Sequence, residues 1–235
     1  MEPHDDKVFA KSLFKDLGAR IIEFPDDGYD CGAYMRFAEE DNSEYLCFLN
    51  THSRPLCHNW LTYLLNGILK DDIGICGSTA ALFGWKFRMP LLERNFLEFC
   101  KLPPRILLRI RNHIRHGRTA TEDSHIRTTG FIIHGEHWRK YTEITPFPKN
   151  KYDTYRIESG TGSLSGFIKS LGLNLAIVNA DGNVFYSTNW SESMTYCFPG
   201  QSKLVIADNM SNKYLQMSRL NKRRTEFDTW GKTIT

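Results

Sequence analysis

A β-hairpin signature around Asp181-Gly182 places the strongest constraint on the fold of this chain. The runs Leu173–Val178 and Val184–Thr188 flank the dipeptide and are rich in β-branched and aromatic residues. Asp-Gly supplies the positive φ values of a tight turn, because glycine has no Cβ and aspartate tolerates that region. The sequence therefore predicts two antiparallel strands here, and the fold must contain a sheet that accepts them.

Further strands are predicted wherever short runs of β-branched and aromatic residues lie between turn residues. These runs are Ala19–Phe24, Ala33–Phe37, Glu44–Leu49, Gly130–His134, Tyr152–Glu158 and Lys203–Ala207. A glycine-containing loop, Gly160–Gly166, separates the fifth run from the hairpin. The half of the chain after residue 130 is therefore expected to be rich in strands.

Helices are predicted where apolar residues recur at a spacing of three and four positions. These segments are Lys7–Leu17, Asn59–Leu69, Leu91–Cys100, Arg105–His116 and the polar tail Asn212–Arg224. Helices and strands do not alternate regularly along the chain. This order predicts an α+β fold with a mixed, largely antiparallel sheet, packed helices and a helix-richer N-terminal half.

The composition indicates an ordinary globular protein of 235 residues with a net charge of +3. We expect a single domain over residues 1–235, with a subdivision near residues 117–124 as the alternative. The polar start Met1–Lys7 lacks a signal-peptide pattern, and no apolar run approaches the ~18 residues that span a bilayer. A soluble, intracellular protein with free thiols and no membrane partner is the expectation, and the mild charge makes nucleic acid an unlikely partner.

The densest polar cluster is His134, Glu136 and His137. Two imidazoles and a carboxylate within four residues suit acid–base chemistry, and we take His134 and Glu136 as the candidate catalytic residues. If the strand continues, these two side chains share one face and His137 lies on the other. The spacing does not match a zinc helix, so we expect neither a metal nor another cofactor. The alternative is a solvated strand end with Trp138 packed beneath it.

Glycoside hydrolysis uses two carboxylates, one as the acid and one as the nucleophile or base. No pair of carboxylates stands out in the second half of the chain. The available residues are Glu136, Glu143, Glu158, Asp181 and Glu192.

The arginines of the segment Arg105–Arg118 alternate with aliphatic residues. Arg105, Arg109 and Arg115 form a candidate anion-binding face for phosphates, nucleic acid or an acidic partner. The alternative is a helix that packs on the core and exposes its arginines to solvent.

The block Tyr45–Leu49, Ser53–Leu61 and Leu64-Leu65 resembles the RolB/RolC (plast) family of T-DNA oncoproteins. Members of that family have a strand ending in Leu-Cys-Phe, here Leu46-Cys47-Phe48, and a short loop. An Asn-Trp pair, here Asn59-Trp60, then opens an apolar helix. The block Ser165-Gly166-Phe167 and the hairpin after it are similar in order to the same family.

The resemblance implies a plasmid-encoded protein of crown gall tumours, made in the cytoplasm or nucleus of the host plant cell. Such a protein would modulate growth, phytohormone response or metabolite handling. Its implied partners are a small glycoconjugate or a host plant protein, and its implied activity is β-glucosidase-like hydrolysis of hormone conjugates. The resemblance assigns no catalytic residue. The alternatives are a non-catalytic structural or binding protein of viral origin, and a nucleic-acid binder that uses the Arg105–Arg118 helix.

Overall fold

The computed structural model describes residues 12, 14, 17–83, 124–159 and 162–234. The strands are β1 (Tyr45–Leu49), β2 (Arg54–Pro55), β3 (Ile73–Gly77), β4 (Ala80–Ala81), β5 (His125–Ile126), β6 (Gly130–His134), β7 (Asn174–Val178), β8 (Val184–Tyr186) and β9 (Ile206–Ala207). The helices are α1 (Tyr29–Glu40), α2 (Trp60–Ile68), α3 (Gly135–Ile144), α4 (Lys151–Glu158), α5 (Leu164–Ser170), α6 (Asn209–Gln216) and α7 (Arg219–Trp230), with two 3-10 turns at Trp190–Glu192 and Pro199–Gln201.

Some predictions fall on residues outside these ranges. They are the helices Leu91–Cys100 and Arg105–His116, most of the helix Lys7–Leu17, the subdivision near residues 117–124 except Ser124, and the candidate anion-binding residues Arg105, Arg109 and Arg115.

The main sheet has five strands in the order β1-β6-β3-β7-β8. Strand β6 pairs antiparallel with β1, where Tyr45 faces His134, and antiparallel with β3. Strand β3 pairs parallel with β7, and β7 pairs antiparallel with β8. The predicted α+β fold with a mixed, largely antiparallel sheet is therefore confirmed, as is the Asp181-Gly182 hairpin.

Both faces of the sheet are covered by helices. Successive apolar side chains of the central strands point to opposite faces and enter two separate cores. On β6, Phe131 and Ile133 enter a core with α1, α3 and α5, whereas Ile132 enters a second core with α2. Leu64 and Ile68 of α2 are fully buried in that second core. The predicted helix Asn59–Leu69 is confirmed on this basis, and so are strands Glu44–Leu49 and Gly130–His134.

Three predicted strands are wrong. Ala33–Phe37 lies inside α1, where Cys31, Met35 and Ala38 are buried at helical spacing. Tyr152–Glu158 belongs to α4, whose first turn is closed by the side chain of Asn150, which accepts a hydrogen bond from the Asp153 N–H. Residues 19–24 form irregular chain. In the first two segments, tertiary burial of a helical stripe overrides a local β preference.

The C-terminal half contains more helix than expected. Five of the seven helices with bounds in the described residues follow β6, so the predicted strand-rich second half is wrong. The strand predicted at Lys203–Ala207 is reduced to β9. The polar tail forms two helices separated by Met217 and Ser218. The second helix begins there because the Ser218 side chain accepts a hydrogen bond from the Asn221 N–H and caps it.

Candidate functional site

The predicted catalytic residues lie at the junction of β6 and α3. Strand β6 ends at His134, and α3 begins at Gly135. A side chain at Gly135 would place its Cβ 2.1 Å from the Ser43 carbonyl oxygen, so only glycine fits this turn. The strand does not continue, and the expected arrangement of His134 and Glu136 on one strand face is therefore wrong.

The two histidine rings lie beside each other at this junction. The His134 ring is 4.7 Å from the Tyr45 ring and 5.3 Å from the His137 ring, measured between centroids. The Nδ1 atom of His137 is buried without a hydrogen-bond partner. Burial lowers the pKa of His137, and the neighbouring His134 lowers it further, so the neutral ring is favoured.

Glu136 is a surface residue. Its side chain is 68% exposed, and its carboxylate accepts a hydrogen bond of 2.6 Å from Lys140 one turn along α3. This bond lowers the pKa of Glu136, which opposes a role as a proton donor. The residue beside these three that enters the core is Trp138, which is 1% exposed and donates its indole N–H to the Tyr34 carbonyl. The geometry agrees with the alternative of a solvated end over a buried tryptophan.

The candidate carboxylates for glycoside hydrolysis occupy different surroundings. Glu143 and Glu192 are exposed, and Asp181 is paired with Lys203 at 2.6 Å. Glu158 alone among the five enters an internal polar cluster, where it accepts hydrogen bonds from the Thr128 N–H and hydroxyl, both at 3.1 Å. No group of three or more metal-ligating side chains occurs within the described ranges.

That internal cluster is centred on the three-residue link between β5 and β6. Each side chain of the link reaches a different part of the fold. Arg127 lies 4.2 Å above the ring centroid of Tyr196, Thr128 contacts Glu158 at the end of α4, and Thr129 donates to Asp208 before α6. We call this set the Arg127 cluster, and its members are Arg127, Thr128, Thr129, Glu158, Tyr196 and Asp208.

Asp208 is held rigidly because it also caps α6. Its side chain accepts a hydrogen bond from the Ser211 N–H, while the Ser211 hydroxyl accepts one from the Asp208 N–H. This reciprocal pair is a capping box. It fixes the carboxylate at the N-terminus of α6, where the helix dipole stabilises a negative charge. The position of Asp208 therefore does not depend on Arg127.

Arg127 is the member of the cluster with unused hydrogen-bonding capacity. It is half-buried, its Nε is fully buried without a partner, and its side chain donates no hydrogen bond to any described residue. Burial lowers the pKa of Arg127, but the neighbouring Tyr196, Glu158 and Asp208 outweigh this effect and raise it, so the guanidinium is charged. A guanidinium with a buried N–H donor that lacks an acceptor is thus present in the cluster.

Hydroxyl groups of two residues that contact Arg127, and of a sequence neighbour of one of them, also lack hydrogen-bond partners. The Arg127 N–H donates to the Thr79 carbonyl, yet the hydroxyls of Ser78 and Thr79 are buried without partners. The Tyr196 hydroxyl is also buried and unpartnered. Buried polar atoms without partners are uncommon in proteins and mark positions for water or a polar ligand.

A small cavity adjoins the cluster on the α1 side of the sheet. Its lining includes Cys31, Tyr34, Thr128, Phe131, Trp138 and Glu158. The Tyr34 hydroxyl is buried without a partner, and burial raises the pKa of the Cys31 thiol to about 12. The Thr128–Glu158 pair therefore stands between an apolar cavity and the charged Arg127.

Sequence reasoning missed the Arg127 cluster because its members are 30 to 79 positions apart where they hydrogen-bond. The one local signal is a charged residue, Arg127, followed by two threonines directly before a buried strand. The sequence matches no protein-family model, and a search of curated proteins finds no match.

Proposed function

We propose that this protein binds a small, hydroxyl-rich molecule at the Arg127 cluster and acts by binding it. The observation that carries the proposal is the Nε–H group of Arg127, which is buried and has no hydrogen-bond partner among the described residues. Removing N–H donors from water without supplying acceptors costs free energy, about 1–3 kcal/mol for a buried group. A ligand with oxygen acceptors would recover this cost.

The charges of the cluster favour a neutral ligand. Arg127 contributes one positive charge, whereas Glu158 and Asp208 are two carboxylates that lie close enough to act on its pKa. An additional anion would meet a net negative cluster. A polyol accepts hydrogen bonds from Arg127 and donates them to carboxylates, and the sugar of a glycoconjugate has this chemistry.

Binding is favoured over hydrolysis by the hydrogen bonds that the carboxylates already accept. Glu158 accepts two from Thr128, and Asp208 accepts one from Thr129 and one from Ser211. The acid of a glycoside hydrolase must instead direct a proton at the glycosidic oxygen. The surface ion pair of Glu136 with Lys140 offers no replacement.

The physiological role that we propose follows from the resemblance to RolB/RolC proteins. In this role the protein is made in the host plant cell, binds a glycosylated hormone or metabolite, and changes growth or hormone response. Expression of the wild-type chain in plant tissue should alter growth, and Arg127→Lys should weaken that effect. The absence of any growth change across several tissues would contradict this role without touching the binding proposal.

Binding itself is testable with a panel of β-glucosides titrated into the purified protein and followed by NMR. Arg127→Lys keeps the charge but loses the planar fork, so affinity should fall by about tenfold. Glu136→Gln is the matched control, because Glu136 is exposed and its carboxylate pairs with Lys140, which is not a member of the Arg127 cluster. The affinity of this variant should match wild type. Equal affinities for wild type and Arg127→Lys would refute the assignment of the site.

A β-glucosidase-like activity is the second candidate function. Its specific support is that two carboxylates, Glu158 and Asp208, both act electrostatically on Arg127. If the purified protein hydrolyses an aryl β-glucoside and Glu158→Gln abolishes turnover while glucoside binding persists, the activity is catalytic. Binding without turnover in wild type would leave the binding function standing.

A further inference from the structure

The junction between α6 and α7 is exposed to solvent. Of the seven residues 215–221, six are exposed, and only Met217 is half-buried. We define the α6–α7 elbow as residues 213–224. This run of exposed residues presents its side chains to solvent from the end of one helix and the start of the next.

The elbow is strongly basic. No acidic residue occurs between Asp208 and Glu226, and both of these are buried and accept hydrogen bonds, from Ser211 and Tyr214 respectively. The elbow thus has a local charge of +5, whereas the whole chain has +3. Its basic residues are Lys213, Arg219, Lys222, Arg223 and Arg224.

The position of these charges is unfavourable for the helix itself. Arg219 and Lys222 lie in the first turn of α7, which contains no acidic residue. The N-terminus of a helix has a partial positive charge and is stabilised by anions, so cations there oppose the helix dipole. Positive charges that weaken their own helix, with no acidic residue in the same turn, are typical of a binding surface.

Apolar side chains accompany the charges. Leu215 is 48% exposed, Leu220 is 58% exposed and Phe227 is 48% exposed. Leu220, Arg223 and Phe227 follow one another at spacings of three and four, so they share one side of α7. Charged and apolar groups therefore lie side by side on α7, and a further exposed leucine lies near the end of α6.

We propose that the α6–α7 elbow docks on an anionic phospholipid surface, with its leucines entering the headgroup region. Basic residues attract anionic lipids, and exposed aliphatic residues beside them can enter the headgroup region. Nucleic acid fits less well, because phosphate contacts make no use of leucines. A peptide partner would call for a concave groove.

This contact is peripheral. No helix in the described part of the chain has the length and apolar character needed to cross a membrane. The proposal departs from the expectation that the protein has no membrane partner, since that expectation rested on the lack of a spanning segment. It is also independent of the Arg127 cluster.

The test is co-sedimentation of the full chain with phosphatidylserine/phosphatidylcholine vesicles and with phosphatidylcholine vesicles alone. Wild type should bind the anionic vesicles and lose most of this binding at high salt. Each basic residue near the surface strengthens binding about fivefold, so Arg219→Glu/Lys222→Glu should weaken it about 25-fold or more. Leu215→Ser/Leu220→Ser should also weaken binding, with less change in its salt dependence.

Matched controls lie elsewhere on the surface. Lys149→Glu changes an exposed charge between α3 and α4, and Ile144→Ser removes a side chain that is 68% exposed. Both should bind vesicles like wild type. Equal binding to phosphatidylcholine alone, equal loss in the control variants, or tighter binding to duplex DNA or RNA than to anionic vesicles would each overturn the proposal. Circular dichroism of the elbow variants, compared with wild type, separates lost binding from lost folding.

Discussion

The Thr129 hydroxyl donates a hydrogen bond of 2.7 Å to Oδ2 of Asp208, across 79 positions of sequence. Oδ1 of the same carboxylate accepts from the Ser211 N–H at the start of α6. One buried side chain therefore joins the entry of β6 to the N-terminus of a helix. Because both oxygens are engaged, the loss of this carboxylate affects two elements at once.

Asp208→Ala should lower the free energy of unfolding by about 2–4 kcal/mol. The change removes a helix cap, worth about 0.5–2 kcal/mol, and leaves the Thr129 hydroxyl buried without a partner, about 1–3 kcal/mol. Urea denaturation measures the loss. Thr129→Val is the control, because it removes one bond and keeps the cap, so its loss should be smaller. A larger loss for Thr129→Val than for Asp208→Ala would contradict the shared role.

Glu226 should hold the C-terminal segment in place. It is fully buried, and its two oxygens accept hydrogen bonds of 2.7 Å from the Tyr214 hydroxyl and from the Ile234 N–H. Glu226→Gln replaces one acceptor with an NH₂ group that faces a donor, so stability should fall by about 1–3 kcal/mol. Hydrogen exchange should show faster exchange at Ile234. Tyr214→Phe is the comparison, because it leaves the bond to Ile234 intact and should leave its exchange slow.

The glycine at the β6–α3 junction should not tolerate a side chain. Gly135→Ala would place a Cβ 2.1 Å from the Ser43 carbonyl oxygen. Because that oxygen belongs to the backbone, the backbone at Ser43 or at the β6–α3 junction must move. We expect a loss of about 1–3 kcal/mol or more, as for overpacked sites. Gly162→Ala is the matched control, because nothing lies within 4 Å of its added Cβ. Similar unfolding midpoints for the two variants would show that the junction is not rigid.

The stability of the protein should fall as the pH drops below 6.5. The pKa of His137 in the folded protein is lowered from the usual 6.5, first by burial and then by His134. Below pH 6.5 the unfolded chain takes up a proton before the folded one does, and stability is lost until the folded pKa is passed. Urea unfolding between pH 7.5 and 5 measures the slope, and His137→Gln should flatten it. His134→Gln should raise the His137 pKa in an NMR titration; an unchanged value would exclude coupling between the rings.

The cysteines should differ in reactivity with a thiol reagent. Burial raises the pKa of Cys31 and of Cys197 to about 12, and both side chains lie in the core, whereas Cys57 is half-buried. The thiolate is the reactive form, so Cys57 should react before Cys31 and Cys197, which should react only on unfolding. Mass spectrometry after timed alkylation of a Cys100→Ser variant reads this order. Fast labelling of Cys31 in the folded protein would mean that the cavity beside it opens.

The parts of the fold that the sequence predicts well are those decided by neighbouring residues. Asp181-Gly182 specifies its hairpin locally, since Gly182 has φ 80° and the side chain of Asn179 accepts from the Asp181 and Asn183 N–H groups. Strand β6 is apolar on both faces, as a strand covered by helices on both sides requires. Helix α1 is different, because Ala33–Phe37 contains aromatic residues that fit a strand. Its packing against α3 and α4 is what favours the helix over the strand.

The candidate site follows the same rule. His134, Glu136 and His137 attract notice because they are close in sequence, yet the turn at Gly135 separates their surroundings. Arg127 looks like a loop arginine until the fold brings Tyr196, Glu158 and Asp208 around it. The contacts that give it a distinct environment come from three segments whose approach no local pattern encodes.

The central position of β3 has a consequence for how the chain is made. Its parallel partner β7 pairs Ile75 with Leu175, a residue 100 positions later. At about 5–20 residues per second of synthesis, β3 waits about 5–20 s on the ribosome before this neighbour emerges. Both edges of this fully apolar strand are open until β6 emerges, and the edge that pairs with β7 stays open for the whole interval. The nascent chain therefore depends on α2 and on its cellular surroundings to keep β3 from pairing with other chains.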